Sequence, residues 1–96
     1  MTQHAAGLPV IDNPLCPDIF ADEALSFDNI NGTIRVTFGV IKPQQPVPPS
    51  PHQFATVARL VMTVPGAQRL SLALYNYLES QGLDPTALVQ GDKTAQ

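Results

Sequence analysis

The chain has 96 residues, with ten prolines and six glycines, which is enough for one small domain and too much punctuation for all of it to be regular structure. Five Lys and Arg stand against eight Asp and Glu, a net charge of -3, so there is no cationic excess to pair with phosphates and nucleic acid is not an expected partner. The N-terminal MTQHAAGLPVIDNP has neither a basic head nor a continuous apolar core, and the longer charge-free runs are broken by Pro, Gln or Thr; no signal peptide or membrane contact is expected, and the chain reads as soluble and cytoplasmic.

Residues 1–21 carry Pro9, Pro14 and Pro17 among short apolar clusters with neither a 2.0 nor a 3.6 period, which predicts an extended, partly docked arm. The first regular feature follows. Asn31-Gly32 lies between ALSFDNI and TIRVTFGVI, and a type I′ turn needs positive φ at both central positions, so the pair predicts a tight hairpin. The turn sets the register: Asn29 opposite Ile34, Asp28 opposite Arg35, Phe27 opposite Val36, Ser26 opposite Thr37 and Leu25 opposite Phe38. One face then collects Leu25, Phe27, Ile34, Val36, Phe38 and Val40. The other collects Ser26, Asp28, Thr33, Arg35 and Thr37, with opposite charges facing each other across the ladder. Gly39 is isolated in a strand, where it marks a bulge or a close approach.

From Lys42 to Gln53 the chain reads KPQQPVPPSPHQ. Its prolines fix φ and withdraw donors, so this segment is expected to be a stiff, polyproline-like connector without paired strand, with a ligand for an aromatic-grooved partner as the weaker alternative. A third strand is predicted over roughly Phe54 to Thr63, where Ala58, Leu60 and Met62 alternate with Val57, Arg59 and Val61. Pro65 suits the first turn of a helix, and Ala67 to Gln81 holds no other breaker. At about 100° per residue Ala67, Leu70, Ala73, Leu74, Tyr77 and Leu78 form one stripe for the sheet. Gly82 fits a left-handed stop with Leu83 folding back on Leu78, and Pro85 forbids continuation. Asp84 can cap one further short turn.

These elements give an α+β unit: a three-stranded antiparallel meander (β-β-β-α) with one helix packed on one face and the proline-rich connector between strands 2 and 3. The boundaries are 1–21 for the arm, 22–83 for the domain and 84–96 for a polar tail. One helix of about 16 residues must shield three strands, and so small a domain buries only roughly 60% of its extended-chain surface. Val57 and Val61 on the second sheet face, with Leu72 and Tyr75 on the outer helix side, are left as a candidate interaction surface. Burial of that sheet face is expected under the arm or against a second copy.

The chemistry-bearing residues are sparse. The single Cys16 permits no internal disulfide and no cysteine pair for zinc. It sits between two prolines with Asp18 close by and no nearby cation to lower its pKa. A Cys16 and His52 nucleophilic pair, or a metal site from His4, His52, Cys16 and Asp18, lacks close spacing. Asp22 and Glu23 are adjacent, so in extended chain they point to opposite faces and cannot flank one substrate atom; they read as the approach to the first strand. Arg35 and Arg59 are a candidate anion contact because both can occupy the polar sheet face, and Arg69 joins them only if the fold converges. No glycine-rich phosphate loop, GxSxG or HExxH is present, so no catalytic, cofactor or metal residue is assigned.

The order FADEALSF, NGTIRVTFGVIKP, a proline-rich stretch, ARLVM and a helix opened by Pro65 resembles a class of short bacterial proteins of unknown function. In that class an Asp-containing first strand leads to an NG-type turn, an R-(L/V)-V-M-P strand and one amphipathic helix. The likeness spans about Phe20 to Gly82, and this chain departs from it by inserting Thr63 and Val64 between Met62 and Pro65. It implies a strand-strand-strand-helix domain that is oligomeric, and it carries no catalytic residues.

The expected function is a non-enzymatic homo-oligomeric scaffold or adaptor, a dimer being favoured, that offers its remaining surface to a protein partner. The alternative is a small anionic-ligand or enzymatic role at an inter-protomer groove, built on Arg35, Arg59 and His52.

Overall fold

The computed structural model describes residues 7–88; His4, the start of the arm, and Val89 with the polar end after it lie outside them. Three strands form one antiparallel sheet in the order β1-β2-β3, with β1 at Glu23–Ile30, β2 at Thr33–Pro43 and β3 at His52–Thr63. One helix follows, α1 at Val64–Ser80. The architecture is the α+β β-β-β-α meander.

Asn31 and Gly32 take φ of 51° and 80°, so both central residues of the first turn are left-handed, as type I′ geometry requires. The pairing that follows runs Ile30 with Thr33, Asn29 with Ile34, Asp28 with Arg35, Phe27 with Val36 and Ser26 with Thr37. Beyond that point the expected register fails by one residue. Ala24, not Leu25, faces Phe38, because Leu25 is the extra residue of a bulge. Ala24 therefore joins the helix-side face, and Leu25 turns to the other side, against Gly39. A second bulge, between Phe38 and Gly39 on the β2–β3 ladder, leaves Val57 without a partner. Gly39 stands at both irregularities, which is the close approach that an isolated strand glycine signals.

The proline segment is also corrected. Lys42 pairs with Gln53 and Pro43 with His52, so the strands continue into it, and residues 44–51 form the loop of a second hairpin. Gln44 N–H donates to Pro51 O at 2.9 Å and Gln45 N–H to Ser50 Oγ at 2.8 Å. Bonded and non-bonded pairs alternate along an antiparallel ladder. With Gln44 bonded across the loop, Pro43 falls where its missing N–H would point away from β3, and the ladder loses nothing.

Thr63 is the N-cap of α1: its backbone is extended, and its Oγ1 accepts the Gly66 N–H at 3.1 Å. Pro65 sits in the first turn, where it removes no helical bond. At the other end Leu83 N–H donates to Leu78 O at 2.8 Å and Gly82 N–H to Glu79 O at 3.0 Å, with Gly82 at φ 75°. This is the Schellman arrangement expected at Gly82. Asp84 then caps residues 85–88, its Oδ1 accepting Thr86 N–H at 3.0 Å and Thr86 Oγ1–H at 2.8 Å. Among the described residues no helix is long and apolar enough to cross a membrane.

Candidate interaction surface

α1 lies against β3 and β2 and makes no close approach to β1. It is 17 residues long, about 25 Å, and runs beside the sheet without closing on it. The space between is an apolar groove of about 840 Å³. Phe27, Ile34, Val36, Phe38, Leu60 and Met62 form its sheet wall, and Val64, Ala67, Leu74, Tyr75 and Leu78 its helix wall. A further hollow of about 490 Å³ continues from it past Ala24, Phe38 and Leu60 to Ile19 and Ala21.

The groove is not a filled core. Val36, 7% exposed, is the one buried apolar side chain among the described residues. Phe27 remains 70% exposed and Leu74 50% exposed, although both stand on the face that the strand and helix periods assign to the interior. The radius of gyration is 17.1 Å, against about 12–13 Å for a compact chain of this length. Total exposed surface is 8149 Å², where a compact monomer of 10.3 kDa exposes about 5,400 Å².

The helix faces the groove through a stripe rotated from the expected one. Ser71 and Tyr75 line it, whereas Ala73 and Tyr77 do not, and Tyr77 is exposed. Tyr75, expected on the outer side, is thus on the groove wall, beside the chain reversal that brings Asp84 near. Asp84 first, then Glu79, raise its phenol pKa above the ordinary value, because a second negative charge there is repelled. Leu72 stays on the outer side, exposed.

On the far face, Arg35 donates from Nε and Nη2 to Asp28 Oδ2, with Nη2 at 3.3 Å. Arg59 pairs with Thr37, one step along the same face, and Val61 pairs with Arg35. The structure therefore brings Arg35 and Arg59 onto one face as diagonal neighbours, but Arg35 is committed to Asp28. His52 is seven residues from Arg59 along β3, about 20 Å away, and joins neither. The arm leaves Val61 60% exposed, and Val57 in its bulge is also exposed. Cys16 is exposed, in a turn where its N–H donates to Asn13 O. No three of His, Cys, Asp and Glu come together among the described residues.

Asp22 has a structural task that its neighbour Glu23 does not share. Its N–H donates to Gly39 O at 2.9 Å, and its Oδ2 accepts the Ile41 N–H at 2.7 Å. The carboxylate stands in for the strand that β1 no longer supplies beside the end of β2. The groove residues that sequence reasoning left out of the candidate surface are Phe27, Phe38, Leu60 and Leu74, since their period reads as core. The available signal was quantitative, one helix set against three strands. Compared with family models, with curated proteins and with solved structures, the chain finds no match.

Proposed function

We propose that this chain is a non-enzymatic homo-oligomeric module, a scaffold or adaptor of the cytoplasm whose assembled form covers the groove between sheet and helix. One observation carries the reading: of the side chains patterned for an interior, Val36 alone is buried, Ile34, Phe38, Met62 and Leu78 are half-buried, and Phe27, Leu60, Leu70 and Leu74 are exposed. Contiguous apolar surface of that kind marks an interaction site, and both walls are self-supplied, so a further copy of the same chain is a chemically matched cover.

The test is light scattering on the size-exclusion peak at micromolar concentration. A mass that is a multiple of 10.3 kDa is expected, and Leu74→Asp, which puts a charge on the groove wall, is expected to return it to the single-chain value. A single-chain mass for the unaltered protein defeats the reading. The anionic-ligand alternative keeps one supporting observation, the shared face of Arg35 and Arg59. It requires a thermal shift with a small polyanion that Arg35→Ala abolishes. Binding of a protein partner that survives Arg35→Ala and weakens with Leu72→Ser or Tyr75→Ser favours the adaptor.

A further inference from the structure

The two edges of the sheet are unlike. β1 is 8 residues long, interrupted by the Leu25 bulge and bearing Glu23 and Asp28, and Asp22 fills the place beyond it. Short, bulged, charged edges resist addition of another strand. β3 is 12 residues long and reads HQFATVARLVMT, with no proline, lysine or carboxylate and Arg59 as its one permanent charge. Its bulge falls at Val57, leaving Ala58 to Thr63 in unbroken register.

The direction of the free groups on that edge follows from the first turn. Ile30 and Thr33 close a two-residue loop, so they form a bonded pair, and along β2 the residues Thr33, Arg35 and Thr37 turn their peptide groups to β1. Ile34, Val36 and Phe38 turn theirs to β3, where Met62, Leu60 and Ala58 receive them. Arg59 and Val61 therefore present N–H and C=O groups to solvent along an apolar, nearly uncharged edge, and Thr63 only its N–H, because its C=O begins the helix.

We infer that two copies join edge to edge through β3, paired antiparallel about a two-fold axis. This rests on the self-association reading above and identifies its seam. A second copy is the occupant for two reasons. First, the exposed surface exceeds that of a compact monomer by about 2,700 Å² per chain, which leaves room for the roughly 1,000–2,500 Å² per chain that obligate dimers bury beside the surface that the open arm contributes. Second, the pairing closes: it uses the unprotected edge of each copy once and leaves only the two guarded β1 edges outside. The axis doubles the three-stranded sheet and keeps both helices on one face. Because α1 approaches β3 and β2 and not β1, the two helices come to lie on the seam side of their sheets, with Tyr77, exposed and off its own groove, available to the partner.

The experiment is a proline scan read by light scattering and far-ultraviolet circular dichroism. Val61→Pro removes an N–H that only the free edge uses, so it is expected to keep the spectrum and halve the mass; Asn29→Pro, the equivalent change on β1, is expected to leave the mass doubled. A doubled mass for Val61→Pro with an intact spectrum overturns the β3 seam while self-association stands. A single-chain mass for the unaltered protein overturns both. Should Val61→Pro unfold, single cysteines at Phe54, Thr56, Ala58, Leu60 and Met62, one at a time in a Cys16→Ser background, decide the matter with a short bis-maleimide. At least one is expected to crosslink to a dimer near the axis, and failure of all five overturns the seam.

Discussion

The side chain of Leu25 fills the space over the bare Cα of Gly39. A Cβ placed at position 39 would lie 2.5 Å from Leu25 Cδ1 and 3.0 Å from Ala55 O. Both neighbours come from the strands that flank β2, and both ladders slip at this level. The glycine therefore lets Leu25 from β1 and Ala55 O from β3 approach β2 where any side chain would crowd both.

Gly39→Ala is expected to destabilise the protein by about 1–3 kcal/mol, the range for forcing an extra carbon into a packed site. Leu25→Ala removes the nearer clash, so the double variant should lose less than the two single changes added together. Urea unfolding midpoints at constant slope measure both. Additive losses would mean that Leu25 does not occupy that space.

Asp28 and Arg35 face each other across the hairpin at 3.3 Å, each with about two fifths of its side chain exposed (40% and 39%). Partial exposure keeps the pair modest. Asp28→Lys places like charges opposite each other and should cost roughly 0.5 to 1 kcal/mol, an effect that added salt diminishes. A neutral result at low ionic strength would indicate another register.

The ends of α1 should respond separately. Thr63→Ala strips the acceptor from the Gly66 N–H and is expected to cost about 0.5–2 kcal/mol, with Thr63→Asp restoring most of it. Gly82→Ala forces a side chain into φ 75° at about 1–2 kcal/mol. Thermal unfolding followed at 222 nm is the measurement, and a Thr63→Ala variant as stable as the parent would remove that cap from the account.

Tyr75 is the group whose ionisation should report the reversal after α1. Its pKa is raised by Asp84, then Glu79, so the folded form holds the phenol proton more tightly than the unfolded form. Stability from this source is complete below pH 10, the unfolded value, and is lost as pH rises through the folded value. In a Tyr77→Phe background, phenolate absorbance titrates Tyr75 alone, and Asp84→Asn should move its midpoint down. An unmoved midpoint would mean that Asp84 does not lie beside the ring.

Much of this fold was written locally. Asn31-Gly32 determined the turn and five of the pairs after it, because positive φ and strand twist admit one kind of two-residue loop. Pro65 and Gly82 bounded the helix, and Gly39 announced an irregularity. The bulges themselves were not legible. ALSF alternates equally well with Leu25 facing either side, and only the bare Cα of Gly39, brought opposite from the next strand, makes room for Leu25. The proline segment misled for a related reason: whether Pro43 costs a ladder bond depends on which way its absent N–H would point, and the partner strand sets that.

The sequence by itself determined the elements, the ends of the helix and the first turn, since these follow from backbone dihedrals and side-chain periods within a few residues. Tertiary structure alone decided the rotation of α1, the Ser71 and Tyr75 wall, and the open groove. Those depend on the angle at which the helix leaves Thr63 and on the area that one helix can cover. A period of 3.6 names the apolar stripe of a helix, but the sheet it meets determines how much of that stripe is hidden.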